Sequence, residues 1–357
     1  MGSPYRPRRI LLSGASGRIG RALGPSLAGF QVPLRILQHQ ASVDGLFGRG
    51  DGGEHSRGER DVGAGRPVEI VRGDLARPAT LRRVAEGCDV VVHAAARTGF
   101  KALAREAQRR VNVGGTEAML AEAQSVGVRL FVLIGYTGTV QERADQSEPV
   151  NEETPPEGSY ESEYVRMKYE TEAMVLEANR VGGMATLVVS PGVLAEPGVS
   201  TPLGGLVKAF VSRDLPFRLL NDVWLATCGG NDVGRCVASA IERGHGGRRY
   251  FATGECVRLS EVYELLTELS GVPAPRRRLP DLLVEELGLL TPVLPRRSFL
   301  RRLVLPRELV LHMKRLAPVD NTRTRADLGF APTPLRSLLA ALIEEEAETQ
   351  TGRRAST

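Results

Sequence analysis

The sequence predicts an α/β fold, a doubly wound parallel sheet followed by a smaller, mostly helical C-terminal region. Three observations carry that prediction. Through the first 135 residues short apolar runs alternate with helical stretches, the pattern of a parallel sheet covered on both faces. A glycine-rich turn, Gly14-Ala15-Ser16-Gly17-Arg18-Ile19-Gly20, joins the first apolar run directly to the first helix. From residue 196 the alternation stops, and after Gly271 the chain becomes rich in Leu, Arg and Pro.

Taken in order, the strands are Arg9–Ser13, Leu34–Gln38, Val68–Val71, Val90–His93 and Leu130–Ile134. The helices between them repeat apolar residues at near-helical spacing, as Ile19, Leu23, Leu27 and Phe30 do. Pro25 falls inside the first helix and should kink it or start a new turn there. Residues 41–66 hold eight glycines among many charges and read as a long flexible insertion, either a disordered loop or a flap over a site.

Composition narrows the class. With 357 residues, 42% hydrophobic and 25% charged, the chain has material for a substantial core, which excludes disorder throughout. The net charge of +5 is spread along the length and forms no nucleic-acid-binding block. Only Lys101, Lys168, Lys208 and Lys314 among 47 basic residues are lysine, a skew that reads as codon composition. No apolar run approaches the roughly 20 residues of a membrane span, and Arg8-Arg9 precedes no secretory apolar region, so the expected location is cytoplasmic. Cys88, Cys228, Cys236 and Cys256 lack metal-knuckle spacing and read as small buried hydrophobes, with no metal site.

Two motifs carry chemistry. The glycine turn sits where a dinucleotide-binding turn must, between strand and helix, so that free N–H groups and the helix dipole face a pyrophosphate. That placement carries more weight than the spacing, which 40 glycines produce by chance about half a time per chain of this length. Tyr164 and Lys168 lie four apart in a segment that reads as helix through Glu177, so both project from one face. A nearby ammonium favours phenolate and would lower the tyrosine pKa toward the range of a general acid/base. The plain alternative is a surface tyrosine and lysine on a solvated helix.

With these motifs the chain resembles the extended short-chain dehydrogenase/reductase family, which includes dihydroflavonol reductases, 3β-hydroxysteroid dehydrogenases and nucleotide-sugar epimerases. The resemblance spans roughly residues 8–345. It extends to Gly73-Asp74-Leu75, His93-Ala94-Ala95-Ala96, Asn112-Val113-Gly114-Gly115-Thr116, Ser190-Pro191-Gly192-Val193, Asn231-Asp232-Val233 and Asp327-Leu328-Gly329-Phe330. It implies a Rossmann-type domain over 1–195, with a strand near 247–253 returning to it, a substrate-binding region over 196–345, and a frayed tail over 346–357. Cofactor contacts are implied for Gly14, Ser16, Gly17, Arg18, Ile19, Gly20, Asp74, Leu75, Ala94, Ala95, Ala96, Lys168, Pro191 and Val193. Where relatives place a Ser or Thr hydroxyl on the substrate oxygen, this chain has Tyr136, or Thr137 if the turn shifts by one residue. Tyr136 could equally fill the pocket without doing chemistry.

The second strand ends without a carboxylate until Asp44, and His39 falls where NADP-using relatives often have arginine; with Arg18 nearby, NADP is favoured over NAD. Leu279–Leu316 holds 13 leucines, interrupted by Pro292, Pro295, Pro306, Arg296-Arg297 and Arg301-Arg302, which reads as the smaller domain's core, an apolar pocket, or shallow membrane-surface contact. The expected function is NAD(P)-dependent hydride transfer to or from a ketone or secondary alcohol of a hydrophobic small molecule. Tyr164, Lys168, Tyr136 and Thr137 are the expected catalytic residues. A nucleotide-sugar epimerase or dehydratase with retained NAD is the alternative, and a non-catalytic NAD(P)-sensing protein is a third reading. The expected partner is an apolar small molecule, with no nucleic acid and no transmembrane segment; a homodimer stays open.

Overall fold

A computed structural model of the chain describes residues 5–39, 59–62, 66–100, 105–180, 183–290 and 304–355. The strands are β1 (Ile10–Ser13), β2 (Leu34–Gln38), β3 (Glu59–Val62), β4 (Arg66–Arg72), β5 (Val90–His93), β6 (Leu130–Ile134), β7 (Ala185–Pro191), β8 (Val193–Leu194), β9 (Trp224–Cys228), β10 (Arg248–Ala252) and β11 (Cys256–Arg258). The helices are α1 (Arg18–Ala28), α2 (Arg105–Arg109), α3 (Gly115–Ser125), α4 (Gly138–Gln141), α5 (Glu163–Glu177), α6 (Pro202–Val211), α7 (Gly230–Arg243), α8 (Leu259–Ser270), α9 (Asp281–Gly288), α10 (Arg307–Met313), α11 (Thr322–Leu328) and α12 (Leu335–Ala355).

The main sheet has the order β10-β7-β6-β5-β1-β2-β4-β3, seven parallel strands with β3 antiparallel at the edge. Its strands are apolar on both faces because both are covered. Ile10, Leu12, Val90, Val92 and Val132 point into one core layer with Leu23 and Leu27 of α1 and Val233 and Val237 of α7. Leu11, Val91, Phe131 and Leu133 point into the other with Met119 of α3 and Val175 of α5. This period-two split of one continuous apolar run is the signature of a doubly covered parallel sheet. Strand order reverses between β1 and β5, which opens a crevice beyond their C-terminal ends.

A second core holds Leu203, Val207 and Phe210 of α6, Val262 and Tyr263 of α8, Val284 of α9, Val310 of α10 and Leu339 of α12. This region is not purely helical, for β8, β9 and β11 form a small sheet in the order β11-β9-β8. The strand expected near 247–253 is β10, and it pairs in parallel with β7.

Three readings of the sequence need correction. Glu59–Val62, assigned to the flexible insertion, pairs antiparallel with β4, which itself begins at Arg66; with three charged residues in four, the segment shows no apolar alternation that would mark a strand. The remainder of that insertion, 41–58 and 63–65, lies outside the described residues, as do 291–303 with Pro292, Pro295, Arg296-Arg297 and Arg301-Arg302. Helix α1 runs unbroken through Pro25. Pro25 and Arg21, whose carbonyl it cannot bond, are both exposed, so water can serve that carbonyl. Finally, the expected frayed tail is helical to Ala355. Glu346 accepts from Lys208 Nζ at 2.8 Å and Gln350 donates to Ser212 Oγ at 3.0 Å, which ties that end to α6.

One buried ion pair anchors α5 to the sheet. Glu172, 1% exposed, pairs with Arg249 of β10 and accepts from Thr139 Oγ1 at 2.9 Å. Arg249→Met leaves that carboxylate buried without its cation, and we expect urea unfolding to lose about 3–5 kcal/mol, partly recovered in the double variant with Glu172→Gln.

Candidate active site

At the mouth of the crevice the chain leaves β1 through Gly14, which has φ +76°. A Cβ at Gly14 would lie 2.5 Å from the Ala95 nitrogen, and one at Gly20 would lie 2.0 Å from the Gly14 carbonyl oxygen. The turn therefore needs both glycines in order to draw β1, α1 and the exit of β5 together. The first turn of α1 has no acidic residue, and Gly17 at its N-cap offers no side chain to the free N–H groups. That leaves an exposed, positively polarised helix end beside Arg18, which fits the pyrophosphate of a dinucleotide.

Below the turn, a buried polar chain fixes the exit of β5. Thr116 Oγ1 donates to the Asn112 carbonyl at 2.5 Å and so accepts from His93 Nε2 at 3.1 Å. His93 Nδ1 is then the acceptor for Ser13 Oγ at 2.8 Å. Burial, and to a smaller extent Lys168, pushes the His93 pKa down to about 3, which keeps this ring neutral. Asn112 sits in a π-helical turn, Arg110–Gly114, between α2 and α3. Its amide bonds both the N–H and the carbonyl of Arg97, at 2.7 and 3.0 Å, and so holds the segment that follows Ala94, Ala95 and Ala96.

Helix α5 begins at Ser162, whose Oγ caps the Tyr164 N–H at 3.1 Å. Tyr164 is half-buried and Lys168 is 6% exposed, so the pair does not lie on a solvated face. Lys168 Nζ donates to the Ile134 carbonyl at the end of β6, at 2.7 Å. Desolvation lowers its pKa to about 8, against the pull of Glu172. Tyr164 departs from the sequence expectation: burial pushes its phenol up to about 12, and the cation that opposes this is Arg18, not Lys168. Arg18 thereby links the glycine turn to the α5 tyrosine.

Tyr136 and Thr137 are told apart by their partners. Thr137 is 1% exposed, and both its N–H and its hydroxyl point at the Pro191 carbonyl, at 3.1 and 3.4 Å. Tyr136 instead turns toward Tyr164, with ring centroids 6.3 Å apart, and its hydroxyl lies 2.9 Å from His312 Nε2. Phe100 closes the wall, edge-on to Tyr164 at 5.4 Å and stacked on His312 at 5.8 Å. Sequence reasoning missed His312 and Phe100: His312 lies 176 residues from Tyr136 within the Leu/Arg-rich stretch, where no motif marks it. Val193 lies in β8 and pairs with Thr227.

At the outer end of β2, His39 lies 3.4 Å from Asp74, which also pairs with Arg77 at 3.6 Å. A carboxylate absent from the second strand thus arrives from the loop after β4. Leu75 packs beside it under Gly115.

Residues 54–200 match the 3-beta hydroxysteroid dehydrogenase/isomerase family. Sterol demethylase protein B from Methylococcus capsulatus is 29% identical over 93% of this chain and 96% of its own length. A 4-hydroxy-2-methyl-3-oxo-4-farnesyl-3,4-dihydroquinoline-1-oxide ketoreductase from Stigmatella aurantiaca is 29% identical over 76% of each chain. Among solved structures, the dTDP-glucose 4,6-dehydratase of Streptomyces venezuelae, with NAD bound, shares the fold with a TM-score of 0.71 at 18% identity, over 96% of this chain and 98% of that one. No helix among the described residues is long and apolar enough to cross a membrane. With the glycine turn at the strand-order switch and relatives of this kind, the chain is similar to enzymes of the extended short-chain dehydrogenase/reductase family.

Proposed function

We propose that this chain transfers a hydride between a nicotinamide and the ketone or secondary alcohol of an apolar small molecule. The observation that carries the proposal is the convergence of Tyr164, Tyr136 and Lys168 at the C-terminal end of β6, with Arg18 of the glycine turn acting on Tyr164. Gly14, Ser16, Gly17, Arg18, Ile19 and Gly20 would hold the pyrophosphate. Asp74 and Leu75 would contact the adenine, Ala94, Ala95 and Ala96 the ribose, and Pro191 and Val193 the nicotinamide. When bound, that ring supplies or accepts the hydride. Tyr164 gives its proton to the substrate oxygen in reduction and takes it back in oxidation. Lys168 adds positive charge beneath the site, and Tyr136 faces the same oxygen.

The wall formed by Phe100, Tyr136 and Tyr164 favours an apolar substrate over a nucleotide sugar, whose diphosphate would seek cations there. The names of the relatives, a sterol demethylase component and a farnesyl-quinoline ketoreductase, point to the same substrate class. Leu282, Leu283, Leu287, Leu289 and Leu290 lie exposed along and just beyond α9, a surface suited to shallow membrane contact that delivers such a ligand. For the cofactor we propose NADP. Arg18 and Arg77 carry positive charge, and the Asp74 carboxylate is already engaged by Arg77 and lies beside His39, which lessens its repulsion of a 2′-phosphate.

With trans-1-decalone and steroid 3-ketones as probes, net NAD(P)H consumption is expected; a retained cofactor with no net consumption would favour the epimerase reading. Tyr164→Phe should lower kcat by roughly 10²–10⁴-fold while NADPH fluorescence titration still reports binding, and near-normal turnover would remove Tyr164 from the mechanism. Because the Lys168 pKa is depressed to about 8, its ammonium is present below that pH and lost as pH rises through it, so kcat/KM should fall on the alkaline side with a midpoint near 8. His39→Asp should weaken NADP binding by about tenfold and leave NAD binding within about twofold, measured as Kd for each cofactor.

A further inference from the structure

The Tyr136 hydroxyl is backed by a buried dyad that no motif announces. His312, carried by α10, sets Nε2 2.9 Å from the Tyr136 hydroxyl and Nδ1 2.5 Å from the Glu142 carboxylate. Both His312 and Glu142 are 0% exposed, and the second Glu142 oxygen accepts the Glu161 N–H at 2.5 Å. Gly138 makes the packing possible, since a Cβ there would lie 2.2 Å from the Tyr136 ring and 2.9 Å from the His312 ring.

Counting protons along this chain restricts what Tyr136 can do. An ionised carboxylate cannot donate, so His312 Nδ1 carries a proton toward Glu142. If Nε2 is bare, Tyr136 spends its single phenolic proton on it, and a substrate oxygen meets only lone pairs. If Nε2 is protonated, it donates to the Tyr136 oxygen, and the phenolic proton is free for the substrate. A carbonyl that gains negative charge as hydride arrives needs a donor at that point.

We propose that the Glu142–His312 ion pair holds the Tyr136 hydroxyl as a hydrogen-bond donor toward the substrate oxygen, which makes Glu142 and His312 positioning residues that act through Tyr136. The proposal rests on the hydride-transfer reading and deepens it. No proton leaves the dyad: Tyr164 supplies the one that is transferred, and Tyr136 keeps its own. The surrounding charges leave the pair intact. On α10 itself Glu308 is engaged by the Glu163 N–H and by Arg105, while beyond it Lys314 pairs with Glu285, and Arg315 with Glu157 and Glu161. The turn after β6 and helix α5 bring the rings of Tyr136 and Tyr164 to this side, while Lys168 of α5 is held by the Ile134 carbonyl.

The test uses the full chain with ¹⁵N-labelled histidine, with the His312 ring nitrogens identified by their loss in His312→Gln. At neutral pH both are expected to be protonated, and Glu142→Gln should return His312 to a neutral imidazole. A neutral His312 in the unaltered protein overturns the proposal. A kinetic arm separates positioning from a structural role: with trans-1-decalone and NADPH, Glu142→Gln should lower kcat about tenfold or more, but change it less than about twofold in a Tyr136→Phe background. An equal loss in both backgrounds overturns the link to Tyr136. If Glu142→Gln fails to fold, the nitrogen spectrum of the unaltered protein decides: two protonated ring nitrogens on His312 support the proposal, and one bare nitrogen refutes it. Turnover undiminished in Tyr164→Phe would instead sink the hydride-transfer reading, while the nitrogen spectra would still report on the dyad.

Discussion

Contact between the β1 turn and the exit of β5 is the constraint on which the rest of the site depends. Gly14 approaches Ala94 and Ala95 so closely that no side chain fits between them. Because that gap is closed, Ser13 Oγ reaches His93 and lies 3.4 Å from the Ala95 N–H, and α1 starts at an angle that exposes its N–H groups over the crevice. A sheet buried on both faces holds this geometry rigidly, since the central strands have no solvent-facing side on which to relax.

Burial sets the electrostatics of the crevice more than any single charge does. The same desolvation keeps His93 neutral, weakens the hold of Lys168 on its proton and makes the Tyr164 phenol reluctant to ionise. A fully buried carboxylate there keeps a cation beside it, as Glu172 does with Arg249. Buried polar groups of this kind suit hydride and proton movements that must not leak to solvent.

Much of the cofactor half was legible in the sequence because its signals are local. A strand, a glycine turn and a helix follow one another within twenty residues, and Tyr164 and Lys168 share one helix. The strands Leu34–Gln38, Val90–His93 and Leu130–Ile134 end where their apolar runs end. What stayed hidden is long-range. Nothing near Tyr136 announces a histidine 176 residues later, and Asp74 meets His39 only because β2 and β4 are sheet neighbours. The small sheet was missed because β8 and β11 are too short to leave a pattern. Which of Tyr136 and Thr137 turns toward Tyr164 depends on the direction of one backbone turn, and residue types alone do not record that.

The π-helical turn at Arg110–Gly114 gives the helix that follows α2 one surplus residue. Deleting a residue there would restore an ordinary helix at the expense of rotating one flank against the other by about 100°. Asn112 could then no longer grip both ends of the Arg97 peptide while Thr116 still met His93. The length of this short segment is therefore as strictly determined as its residue types, and an evolving lineage could shorten it only by rebuilding the floor of the crevice.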